Sequence, residues 1–136
     1  MPKALTYISA AALLAIAGAA YTADSPEPTR EQVRATAMLE GKTAGEAQNC
    51  VQTRDLNGSL VADEGTILYP VNTRLVYRTQ IEPACPFLTD DRQIVTRTNS
   101  TQICEGDQFE VVDVQYGTEY GLCNFGAFVP FRAAGD

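Results

Sequence analysis

The 136-residue chain has no histidine and no tryptophan. Without histidine it lacks the usual general base near neutral pH and the commonest metal ligand. Ser-His-Asp and Cys-His activation of a nucleophile are excluded. The usual His-built zinc centres are excluded with them. Lysine is almost absent as well, with only Lys3 and Lys42. Lys42 stands in a Gly-rich stretch, a poor place to desolvate an amine, so Ser-Lys chemistry is disfavoured. The remaining positive charge is arginine, set against 17 acids, and the net charge is −7. A chain so acidic carries no clustered cationic footprint for nucleic acid. Anionic headgroups should repel it weakly. No catalytic group, metal set or cofactor motif emerges, and the chain reads as a non-enzyme.

What is present begins with an export signal. Lys3 supplies a positive start, residues 8–17 are apolar, and Ala17-Gly18-Ala19-Ala20 offers small residues for cleavage. Residues 1–20 therefore read as a signal peptide. The apolar run is short for a bilayer span, which needs about 20 residues. No membrane span is expected after cleavage, and no cysteine stands nearby for a lipid anchor. Loss of Lys3 takes the net charge to about −8.

Residues 21–43 read as a linker and a short helix. Asp24-Ser25-Pro26-Glu27-Pro28 lacks apolar residues to pack. Thr29 and Gln32 have the spacing of a capping box, and Glu31 suits the positive end of the helix dipole. The spacing predicts a helix over 30–40, ended by Gly41, with Val33, Ala37, Met38 and Leu39 as its apolar stripe. Gly41-Lys42-Thr43 is a chance match to a phosphate-binding loop. Thr36 stands where the upstream glycine is needed, and no apolar strand precedes it.

Residues 44–133 read as a β-domain. A strand over 50–56 meets Asn57-Gly58, a strong hairpin signal, and 59–62 should return. Asp63-Glu64-Gly65 turns into a strand over 66–69, stopped by Pro70. In Arg74-Leu75-Val76-Tyr77-Arg78, alternation points Leu75 and Tyr77 to the core and the other three to solvent. Further strands are expected over 93–98, 101–104, 109–114 and 122–131, with Phe109 and Val111 facing inward. About seven short strands and no crossover helices predict a mostly β fold. The expected form is a small antiparallel barrel or sandwich preceded by one helix.

Four cysteines in an exported chain of this size imply two disulfides. Three connectivities are open. A hairpin through Asn99-Ser100 would return Cys104 to Cys85, which favours Cys85–Cys104 with Cys50–Cys123. No Cys-x-x-Cys is present, so a redox role is not indicated.

Several blocks together resemble a family of small exported alphaproteobacterial proteins with four cysteines and a domain of unknown function. They are Gly41-Lys42-Thr43-Ala44-Gly45, Thr66-Ile67-Leu68-Tyr69 and Cys85-Pro86-Phe87-Leu88. The two most specific are 100–107, Ser-Thr-Gln-Ile-Cys-Glu-Gly-Asp, and 121–131, Gly-Leu-Cys-Asn-Phe-Gly-Ala-Phe-Val-Pro-Phe. The resemblance implies a periplasmic location and brings no chemistry with it.

Remaining candidates are modest. Asp90-Asp91 and Glu105/Asp107 are acidic turns without the alternating oxygen ligands of a calcium loop. Asp107 should instead accept hydrogen bonds from its own turn. Arg74 and Arg78 form a candidate face for an anionic ligand, against the plainer reading of outward strand residues. The functional expectation is a periplasmic or secreted, non-catalytic binding or envelope-accessory module with an unknown protein or envelope partner. The alternatives are a carboxylate-based hydrolase of envelope polysaccharide, using two of Asp63, Glu64, Asp90, Asp91, Glu105, Asp107 and Glu110, and a purely structural assembly component.

Overall fold

The computed structural model describes Gly18 and residues 25–135. The signal segment read over 1–20 lies, apart from Gly18, outside the described residues. No helix among the described residues is long and apolar enough to cross a membrane.

Helix α1 runs Arg30–Leu39. Thr29 accepts from the Gln32 amide, and Gln32 Oε1 accepts from the Thr29 amide at 2.9 Å. This is the capping box read from the sequence, and it satisfies two otherwise orphan donors. Ten strands follow: β1 Lys42–Ala44, β2 Cys50–Gln52, β3 Leu60–Asp63, β4 Thr66–Pro70, β5 Leu75–Gln80, β6 Gln93–Thr96, β7 Gln102–Cys104, β8 Gln108–Asp113, β9 Thr118–Asn124 and β10 Phe128–Ala133. They form three antiparallel sheets, ordered β1-β10-β5-β4-β3, β2-β7 and β6-β8-β9. The fold is mostly β, as the turn spacing indicates. Its strands are shorter and more numerous than the seven expected, and they do not close into one barrel.

Both faces of the five-stranded sheet are covered. On one side a large core draws Ile67, Tyr69, Val51, Ile103, Phe109, Val111, Phe125 and Phe128 from all three sheets. Phe109 and Phe125 have ring centroids 4.5 Å apart. On the other side α1 lays Ala35, with Met38 and Leu39, on Leu60, Ala62, Leu68 and Val76. The apolar stripe is thus rotated from the one expected, and Val33 is 54% exposed. The second cover also corrects the reading of β5. Val76, expected in solvent, is buried beneath α1, while Tyr77 packs on the large core. A strand covered on both faces loses the simple in-out alternation of a half-exposed one.

Three local signals lose to longer-range partners. Asn57-Gly58 makes no hairpin. The chain takes a 3₁₀ turn at Thr53–Asp55, and the Asn57 amide donates to Pro70 O at 2.7 Å. Asn99-Ser100 makes none either. β6 pairs with β8, whereas β7 pairs with β2. The expected last strand splits at Phe125-Gly126-Ala127 into β9 and β10, which belong to different sheets.

Those pairings set the disulfides. Cys50 lies directly opposite Cys104 in the β2–β7 ladder, Cα atoms 4.0 Å apart, and the two are bonded. Cys85 is bonded to Cys123. All four cysteines are therefore bridged, as expected. The favoured Cys85–Cys104 and Cys50–Cys123 pairing is replaced, because the hairpin that would carry Cys104 back to Cys85 does not form. Two disulfides are compatible with an extracellular or otherwise oxidising compartment.

The core contains a titration marker. Tyr69 is 6% exposed, and burial pushes its hydroxyl well above its ordinary value of 10.0. The neutral ring is the form the fold accommodates. Its contribution is complete below pH 10 and is lost as the pH rises toward the raised folded value. Stability should therefore fall above about pH 10, and Tyr69→Phe should blunt that fall. Urea unfolding of both proteins across this alkaline range measures the difference.

Candidate functional site

A broad, open hollow lies beside α1 at the end of β4 and the β4–β5 turn. Its volume is about 590 Å³. Ala37 and Met38 from α1, Pro70 from the end of β4 and Val76 from β5 give it an apolar floor. Asn72 and Thr73, in the β4–β5 turn, form one side of the mouth. Asn72 Oδ1 accepts from the Arg74 and Leu75 amides at 2.8 and 2.9 Å, which fixes the turn. Arg34 and Lys42 complete the rim, and no carboxylate lines it.

Each cation is placed by local structure. Arg34 projects from the middle of α1 and is exposed. Gly41 takes φ +71°, which lets the chain reverse after the helix and lay β1 against β10. Lys42 then faces back across the helix end, its Nζ donating to Met38 O at 2.8 Å. That carbonyl belongs to the last turn of α1, where the dipole favours a cation. The surrounding strands are free of acids. β1, β4, β5 and β10 contain no Asp or Glu, although the chain as a whole is at −7.

The sequence-predicted pair Arg74 and Arg78 lies on this same side of β5 but is not brought together. Four residues of strand separate them by about 13 Å. Arg74 Nη2 donates to Ala134 O at 3.1 Å. Arg78 is half-buried, with its guanidinium 4.8 Å from the Phe131 ring centroid. Its Nε is buried without a hydrogen bond among the described residues. It borders a smaller hollow of about 230 Å³ across α1, beside Ala35, Leu39 and Leu68.

The candidate acids are not brought to one place. Asp63, Glu64 and Asp90, with Glu31 from α1, border one hollow of about 320 Å³. Asp63 already accepts from the Gly65 amide at 2.8 Å. The three turn acids are exposed, and no cluster among the described residues has the makings of a metal site. Asp107 accepts from the Cys104 amide at 2.8 Å, so it serves its own turn as expected. Asp91 accepts from the Thr89 hydroxyl, which holds its carboxyl below the usual range. Glu110 is 7% exposed and held by Arg97, whose Nε is 2.8 Å away. Glu105 stays exposed.

Arg34 is not a sequence candidate, and Lys42 enters the sequence reading only as a disfavoured amine for Ser-Lys chemistry. Lys42 belongs to a three-residue strand too short to announce itself, and Arg34 is one charge on a helix. Among the described residues, five of the six exposed large hydrophobic ones, Val95, Val114, Tyr116, Tyr120 and Leu122, lie elsewhere, on the β6-β8-β9 sheet and its β8–β9 turn. Comparison with protein-family models, with curated proteins and with solved structures returns no match for this chain.

Proposed function

We propose that the chain is an exported, periplasmic binding module without catalytic activity, and that the α1 side of its five-stranded sheet is the working surface. Kinship with the four-cysteine alphaproteobacterial family is part of this reading. The observation that carries it is the hollow of about 590 Å³, apolar below and cationic at the rim, on an otherwise acidic chain. Binding sites are commonly concave and mostly apolar, with a few polar groups that fix orientation. Helix and strands, stapled by two disulfides elsewhere in the unit, hold such a surface rigid.

One observation favours a second reading. Glu31, Asp63, Glu64 and Asp90 surround a common hollow, and a pair of carboxyls is the minimum apparatus of a polysaccharide hydrolase. Exposure weakens it, because solvated carboxylates lack the environment that sets one as an acid and another as a base. The purely structural role is the third reading.

Protein recovered from the periplasm is expected to carry a non-covalent adduct in native mass spectrometry, and Met38→Asp should lose it. The same protein should release no reducing sugar from envelope polysaccharide. Release that disappears in Glu64→Gln would replace this reading with the hydrolase, and a bare protein mass would favour the structural role.

A further inference from the structure

We infer that the α1 hollow takes a free fatty-acid carboxylate, a single-chain amphiphile with an anionic head. This rests on the binding-module reading and names its ligand. Ala37, Met38 and Pro70, with the buried Val76 beneath them, offer an acyl chain apolar surface and no aromatic ring on which a base or sugar could stack. Methionine adapts to flexible apolar partners. The head would lie between Arg34 and Lys42. Arg34 makes no hydrogen bond or ion pair among the described residues, so its donors are open to a carboxylate. Lys42 spends one donor on Met38 O and keeps two.

Charge complementarity decides the sign of the head. Two cations and no acid line this hollow, so an anion is favoured there over a cationic head; Glu31 and Asp90 line the neighbouring hollow that Arg34 also borders. The apolar floor decides the tail, since a small bare anion would leave it in water. The net charge of −7 argues against a lipid surface as the source, because a whole bilayer of anionic headgroups meets the whole acidic chain. A free single-chain acid meets only the local rim.

The test is calorimetric titration of the full mature chain with four probes, each below its micelle concentration. Dodecanoate carries both head and tail, acetate only the head, dodecyl maltoside a neutral head, and dodecyltrimethylammonium a cationic one. Dodecanoate is expected to bind clearly more tightly than the other three. Arg34→Glu should weaken it about tenfold, the usual worth of one charge-assisted contact. Lys42→Glu should act alike. Arg34 is exposed, so its variant should fold even where loss of the Lys42 contact unsettles the helix end. Equal binding of all three dodecyl probes, or an affinity unchanged in Arg34→Glu, would overturn the assignment. Tighter binding to phosphatidylglycerol vesicles than to dodecanoate would transfer it to a membrane surface and overturn it too. If dodecanoate fails while a native adduct is still lost in Met38→Asp, the ligand class is wrong and the binding module stands.

Discussion

Replacing Cys50 and Cys104 together by alanine is expected to lower the unfolding free energy by about 4 kcal/mol. The bond joins residues 54 apart in sequence, and without it the unfolded chain regains the freedom of that loop. The Cys85–Cys123 bond closes 38 residues, so its removal should cost nearly as much. A domain of this size is stable by roughly 5–15 kcal/mol in total. Either double variant should therefore melt many degrees lower, and full reduction should leave the chain close to unfolding at ambient temperature. The two bonds also do different structural work. Cys50–Cys104 clamps the two-stranded β2-β7 sheet, which has only three paired positions of its own. Cys85–Cys123 ties the loop after β5 to strand β9 of the third sheet. Thermal unfolding of each variant checks the magnitudes. Non-reduced peptides cut after Arg, Lys and Glu separate Cys104 from Cys123 and check the pairing. A peptide joining Cys85 to Cys104 would refute it.

Gly126→Ala should be the most damaging single methyl group in the chain. Gly126 lies where the backbone leaves β9 for β10 and passes over the end of β5. A Cβ there would stand 2.0 Å from the Gln80 carbonyl oxygen, which is backbone and cannot swing aside. Overpacking normally costs about 1–3 kcal/mol, and a clash of backbone with Cβ belongs at or above the top of that range. The displacement would also stretch the 3.0 Å bond from the buried Thr79 hydroxyl to Gly126 O. An unsatisfied buried hydroxyl adds about 1–3 kcal/mol. Gly65→Ala is the matched control. Its nearest new contact would be an ordinary 3.6 Å, and its φ is not left-handed. Denaturant midpoints of the two variants should therefore diverge sharply. Equal midpoints would show that the β9–β10 crossover is not packed as described.

Elements set by nearby residues could be read from the sequence, and those set by distant ones could not. Thr29 and Gln32 cap α1 because the motif is complete within four residues. Phe109 and Val111 point inward because β8 has the core on one face. Asp63-Glu64-Gly65 turns β3 into β4 with Asp63 accepting from the Gly65 amide inside the turn. Asn57-Gly58 fails because Asn57 finds its partner at Pro70, thirteen residues on. The disulfide pairing fails with it in kind. β2 and β7 are three residues each, and only the fold shows that they face one another. β5 misleads because α1 returns over the face that alternation assigns to solvent. The candidate site follows the same division. Arg74 and Arg78 were legible as a cationic face of one strand. The rim formed by Arg34 and Lys42 depends on how α1 crosses the sheet, and the sequence carries no local mark of that crossing.

The working surface can be located directly. Amide chemical shifts of the isotope-labelled mature chain, recorded as dodecanoate is added, should move at residues 34–42 and 71–76 and stay fixed along β6, β8 and β9. Shifts confined to β6, β8 and β9, where most of the exposed large apolar side chains lie, would contradict the account and move the binding surface to the opposite part of the molecule's fold.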